Sequence, residues 1–321
     1  MILTDYFRSK RDITWDFAKQ CGVEHGVIRL PEDDAFDICD ERHWDQVYKG
    51  FVDFGIKPLI IEPMPNELHD HIKAGDEKRD ECIEKAIRMM PIMEKLDIGT
   101  ICFNFMAHVG WTRTRKNIPE RGGALVTGFD IDEYQPNGDS ITEEVLWDNY
   151  TYFIKAILPH AEKHGIRLAL HPDDPPLPRL GDVGRIMISH ENIKRALAIG
   201  DSENLGITMC QACYQMMGEN LYDVIPEMKD KIFFVHFRNA TGNKYRFHET
   251  FHDNGDINMA EMMDLYSRCG IHVPVRVDHV PTMAGETDTT GYTALGRLYA
   301  IGYLKGLLEA TALRECEEEW L

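Results

Sequence analysis

The chain has 321 residues, of which 43% are hydrophobic and 28% charged, the composition of a soluble globular protein. Its formal net charge of −19 argues against nucleic acid and anionic membrane as partners, since both would repel it. A small anionic substrate is still allowed, because it feels the field of its pocket rather than the total. No apolar run approaches the roughly 18 residues of a spanning helix. The opening Met1-Ile2-Leu3-Thr4-Asp5 lacks the basic and apolar segments of a signal peptide. Eight cysteines are too few for a disulfide scaffold. Cys21, Cys82, Cys102 and Cys269 sit in apolar surroundings and read as buried free thiols, so a cytoplasmic protein is expected.

In chain order, short apolar runs alternate with amphipathic helical segments. Residues 3–7 read as a strand followed by a helix at 13–21; 26–30 is followed by 44–54, and 58–62 by 79–96. A fourth run at 100–106 precedes a helix at 143–164, and 167–171 precedes 191–198. The last three pairs are 206–210 with 221–228, 232–236 with 259–269, and 273–278 with 292–311. Eight strand–helix units in one chain predict an α/β fold, a (β/α)8 TIM barrel, with residues 1–321 as a single barrel domain. A doubly wound sheet would want a glycine-rich phosphate loop after an early strand, and none follows 3–7 or 26–30. The stretch 107–140 after the fourth strand is the longest without a helical or strand pattern, and is expected to be a long loop acting as a lid or an oligomer contact.

In such a barrel the active site lies at the C-terminal strand ends. Strands five to eight end in His171, Cys210, His236 and Asp278, each a possible metal ligand. Taken alone, His236 reads as a core histidine and Cys210 as a small buried hydrophobe. Four donors at four consecutive strand ends read as one site. The mixed set of two imidazoles, a thiolate and a carboxylate leaves Zn²⁺, Fe²⁺, Mn²⁺ and Co²⁺ open. Cys210-Gln211-Ala212-Cys213 also has a redox spacing, but the fold is not the thioredoxin-like one that motif belongs to. Alternation along a strand points adjacent side chains to different sides, so His279 is read as an acid or base beside Asp278 rather than as a fifth ligand. Arg238 suits a substrate carboxylate, and Arg113 in the long loop is a similar candidate.

Several of these motifs resemble those of the mannonate dehydratase family. They are His171-Pro172-Asp173-Asp174-Pro175-Pro176, Asn104-Phe105-Met106 with Trp111-Thr112-Arg113-Thr114, and Val235-His236-Phe237-Arg238-Asn239 followed by Phe247-His248-Glu249. Arg276-Val277-Asp278-His279 and Gly291-Tyr292 continue the likeness toward the C-terminus. The resemblance implies a xylose-isomerase-like barrel that uses a divalent metal, Mn²⁺ or Fe²⁺, to dehydrate D-mannonate to 2-dehydro-3-deoxy-D-gluconate. It implies the same four ligands, with His279 and Tyr292 as catalytic residues. Arg238, Asn239, Asn104, Arg113, Asp173 and His248 are the expected substrate contacts. The implied partner is a small sugar acid, with a homo-oligomer as a further expectation. The chain departs from the family pattern at Gln211-Ala212-Cys213, at Val280-Pro281 and at Val277, all beside the expected ligands. Two other readings stay open: a sugar or sugar-acid isomerase or epimerase on the same metal-binding barrel, and a metal-dependent sugar-acid binding protein without catalysis.

Overall fold

A computed structural model describes residues 1–287 and 291–318. Its centre is a closed barrel of eight parallel strands in chain order. These are β1 (Ile2–Arg8), β2 (His25–Arg29), β3 (Lys57–Ile61), β4 (Thr100–Phe103), β5 (Arg167–Leu170), β6 (Leu205–Cys210), β7 (Ile232–Phe237) and β8 (Pro274–Val277). The ring closes where β8 pairs with β1, Ile2 opposite Pro274 and Leu3 opposite Val275. The expected α/β barrel is thus present. Parallel strands covered on both faces need continuous apolar runs, and every residue of β4, β6 and β7 is buried.

Two cores result. One lies between strands and helices, where Trp15 stacks on Phe51 with ring centroids 4.4 Å apart. A smaller one, built from the strands alone, joins Val27, Ile60, Cys102, Ala169, Phe233 and Phe234. Helix starts are fixed locally. Asp12, Asp40, Thr142, Ser189, Asn220 and Asn258 each accept a hydrogen bond from a backbone N–H of the first turn.

The structure corrects the reading of residues 107–140 as a bare loop. Arg115–Pro119 and Leu125–Asp130 are strands of a four-stranded antiparallel sheet completed by the hairpin of Ala240–Asn243 and Arg246–Glu249. Phe129 and Phe247 stack across it at 5.9 Å, a pairing between segments far apart in sequence. Two helices, Asn66–Ala74 and Gln211–Met217, had no sequence reading. The second buries five of its seven residues, so it lacks the one-sided polarity that marks a surface helix. Cys82 and Cys102 are buried free thiols as expected; Cys21 and Cys269 are free but only half-buried.

Candidate active site

The four expected ligands converge at the C-terminal mouth of the barrel. The backbone N–H of His171 donates to Phe103 O at 2.7 Å, extending the β4–β5 ladder by one residue and holding the imidazole at the strand end. His171 Nδ1 lies 2.6 Å from Pro172 O, an atom that only accepts, so Nδ1 carries the proton and Nε2 presents a lone pair. His236 Nε2 lies 2.8 Å from Glu62 Oε1 without aligned hydrogen-bond geometry; the proton that metal binding would leave on Nε2 faces this carboxylate, with Nδ1 as the donor atom. Those two nitrogens, His171 Nε2 and His236 Nδ1, face each other at 3.1 Å. Two ring nitrogens this close need either a proton on one of them or a metal cation between them. Cys210 Sγ belongs to the same cluster, in which the donor atoms lie within 4.8 Å of one another. Asp278 Oδ2 stands 3.6 Å from His236 Nδ1. The residues present therefore fit a divalent metal.

Electrostatics favours the ligating forms of Cys210 and Asp278; His236 is the exception, since against burial and Arg276 the carboxylates Glu62 and Asp278 push its pKa well up. Burial alone would push the Cys210 thiol up, but the Cys213 hydrogen bond, the Arg238 guanidinium and the two imidazoles hold it well below the usual thiol range. Burial likewise opposes ionisation of Asp278, yet His279, Arg276, His236 and Arg238 hold its carboxyl well below the usual carboxylate range.

His279 and Tyr292 stand beside Asp278. The Tyr292 hydroxyl is 3.1 Å from His279 Nε2 and donates to Asp278 Oδ1 at 3.1 Å. Gly291, with φ of 84°, turns the chain back toward His279 just before Tyr292, and its carbonyl accepts from Val280 N at 2.8 Å. The two adjacent side chains Asp278 and His279 do not diverge as strand alternation would have them. β8 ends at Val277, and His279 Nε2 comes within 3.8 Å of Asp278 Oδ2. The Trp111 ring meets His279 edge-on at 5.0 Å. Burial lowers the affinity of His279 for a proton, against the pull of Asp278 and Glu249. Desolvation, then the Asp278 charge, push the Tyr292 phenol well up. A neutral imidazole and a protonated phenol thus adjoin the metal cluster.

The expected substrate contacts are mostly displaced. Asn104 lines the mouth and accepts from Met106 N at 3.0 Å. Arg238 does not reach the cavity. It is fully buried, its Nη1 on Asp174 Oδ2 at 2.7 Å and its Nε and Nη2 on Glu249 at 2.9 and 2.6 Å. Arg113 binds the same two carboxylates, donating to both oxygens of Asp174 at 2.9 Å and to Glu249 Oε1 at 2.6 Å. Both guanidiniums are spent on a buried ring of four alternating charges, so neither is free for substrate. Asn239 is a framework residue. Its amide donates to His252 O and Ile257 O, and its oxygen accepts from Ala240 N and Ile257 N. Asp173 is buried, with Oδ2 accepting from Ile186 N and Met187 N. His248 sits in the accessory hairpin opposite Thr241 and Gly128, outside the cavity lining.

The mouth opens into a cavity of about 1070 Å³. Its far wall was not anticipated. Tyr6 and Arg8 come from β1, Arg29 from β2, and Asn66 and Lys73 from the helix after β3. Arg8, Arg29 and Lys73 bring positive charge to this lining, although Arg29 is paired with Glu32 and Lys73 with Asp70. Glu62 and Arg276, both buried, were missed as well. Glu62 closes an apolar run just as His171 does, and that signal was available.

A family model described as D-mannonate dehydratase matches residues 2–139 and 133–317 of the chain. The mannonate dehydratase of Streptococcus equi subsp. zooepidemicus is 34% identical over 290 residues, covering 80% of this chain and 79% of the relative. The crystal structure of mannonate dehydratase from Streptococcus suis superposes with a TM-score of 0.87 at 30% identity, over 98% of this chain and 94% of that one. A xylose isomerase domain protein from Planctomyces limnophilus, 12% identical with a TM-score of 0.63 over 97% and 98% of the two chains, shares the fold.

Proposed function

Because this chain belongs to the D-mannonate dehydratase family, we propose that it is a metal-dependent hydro-lyase that converts D-mannonate to 2-dehydro-3-deoxy-D-gluconate and water. The observation that carries the reading is the meeting of His171, Cys210, His236 and Asp278 beside the His279–Tyr292 pair. Mn²⁺ or Fe²⁺ is the metal in this reading, as the family resemblance implies, and the mixed nitrogen, sulfur and oxygen donors are compatible with either. When bound, the cation supplies Lewis-acid stabilisation of the charge that develops on the substrate carboxylate as C2 loses its proton.

The chain's own residues move the protons. His279, held neutral by burial, is suited to accept the C2 proton. Tyr292, held protonated, is suited to give its proton to the C3 hydroxyl as that group leaves as water. The imidazolium and tyrosinate so formed lie 3.1 Å apart, within reach for one proton to pass back and reset both groups. The released enol then ketonises in solution. Asn104 and Arg8, both in the cavity lining, are the groups placed to hold the sugar acid.

The seven cysteines whose side chains are described are free thiols, which supports a reducing, cytoplasmic setting. No helix among the described residues is long and apolar enough to cross a membrane. The test is to load the protein with Mn²⁺, Fe²⁺ or Co²⁺, supply D-mannonate, and assay for a 2-keto-3-deoxy acid. Product lighter than substrate by one water supports dehydration. Product of unchanged mass assigns an isomerase or epimerase instead, and no turnover with any of the three metals sinks the substrate assignment.

A further inference from the structure

Glu62, Cys102 and His236 form a second buried cluster of donor atoms, sharing His236 with the first. Glu62 lies 2.8 Å from His236 Nε2 and 3.5 Å from Cys102 Sγ. The cluster invites a second ion, but Arg276 argues against one. Its Nε donates to Glu62 Oε2 at 2.8 Å and its Nη2 to Oε1 at 3.0 Å, so a permanent cation already occupies both oxygens. The same guanidinium donates through Nη1 to Asp278 Oδ1 at 3.0 Å and to Val277 O at 2.8 Å.

Resting on the metal-site reading above, we propose that Glu62 and Arg276 are positioning residues that set the donor geometry of His236 and Asp278. Glu62, 2.8 Å from His236 Nε2, is placed to draw the imidazole proton to that atom and so commit Nδ1 to the metal. Arg276 clamps Glu62 with two parallel hydrogen bonds and fixes Asp278 with a third. One buried guanidinium thereby orients two of the four ligands, one at the end of β7 and one just after β8. Strand β3 contributes to the metal centre through Glu62 without supplying a ligand.

The test is a titration of metal-free protein with Co²⁺, followed by the thiolate-to-cobalt charge-transfer band that Cys210 would generate. In Glu62→Gln the amide can turn either its oxygen or its nitrogen to Nε2, so the tautomer is no longer set. Co²⁺ affinity should fall roughly 10- to 100-fold, with the band recovered at saturation because Cys210 is untouched. Glu62→Asp keeps the charge facing Arg276 but draws it back from His236 by one methylene. It should weaken binding similarly, and it provides the comparison if the amide variant folds poorly. Affinity unchanged in a folded variant would overturn the inference while leaving the metal site standing. So would two cobalt ions in the parent protein falling to one in Glu62→Gln, since Glu62 would then be a ligand itself. A parent protein that binds no Co²⁺, or whose band survives Cys210→Ser, would overturn the site reading and this inference with it.

Discussion

His279 Nε2 and the Tyr292 hydroxyl are separated by 3.1 Å, with Asp278 touching both side chains. In the proposed mechanism the pair is a proton circuit, in which His279 passes the proton it gains from C2 to Tyr292, which has given one up. Replacing either breaks the circuit without removing a metal donor. Tyr292→Phe and His279→Gln should each lower kcat by about 10²- to 10⁴-fold, while metal content measured by elemental analysis stays at the parent level. Loss of metal together with activity would contradict the assignment.

Chelation should abolish turnover and also lower thermal stability, because a ligand that binds only the folded state adds to the free energy of unfolding. At a metal concentration one hundred times Kd the gain is about 2.7 kcal/mol. Melting curves with and without added Mn²⁺ check this, with Cys210→Ser expected to show a smaller metal-dependent shift than the parent.

Arg238 is buried against Asp174 and Glu249, and its replacement leaves the single charge of Arg113 to compensate two buried carboxylates. Arg238→Met should destabilise the protein by about 3–5 kcal/mol, read from denaturant unfolding. The loss should appear in the metal-free protein too, which distinguishes a framework role from substrate binding.

Acid should weaken the fold in two stages. His252 is fully buried beside Phe237, and burial lowers its pKa to about 4. The unfolded chain takes up this proton near pH 6.5 and the native protein does not. Stability from this group is therefore complete above that range and falls by about 3 kcal/mol as the pH drops toward 4. Asp174 and Glu249 are held below their ordinary range, against the cost of burial, by Arg113 and Arg238. Their contribution is present above the unfolded carboxylate range near pH 4 and is lost below it. Equilibrium unfolding from pH 7 to 3 should show the first decline, and His252→Gln should flatten it.

The barrel strands are legible in the sequence because burial on both faces leaves uninterrupted apolar runs, and the strand-end donors are legible because they close those runs. Glu62 carries the same mark and was passed over because donors were sought only on strands five to eight. Arg238 and Arg113 misled for a different reason. An arginine near the mouth looks available until its partners are known, and those partners, Asp174 and Glu249, are brought in by the β5 loop and by a hairpin that joins residues 115–130. No local pattern announces such a closure. Asn239 was misread on the same grounds, since its four hydrogen bonds go to backbone as far along as Ile257.

The cavity is assembled from two stretches of chain with different duties. Apart from Glu62, the donors and the proton circuit all come from residue 171 onward, whereas the facing wall of Tyr6, Arg8, Arg29, Asn66 and Lys73 is supplied by the first 73 residues. Inheritance of chemistry and inheritance of substrate preference are thereby only partly separable. The separation is incomplete, because Glu62 and Trp111 from the earlier stretch touch His236 and His279 of the later one, so exchange of the first half of the chain would disturb the reaction centre as well as the recognition surface.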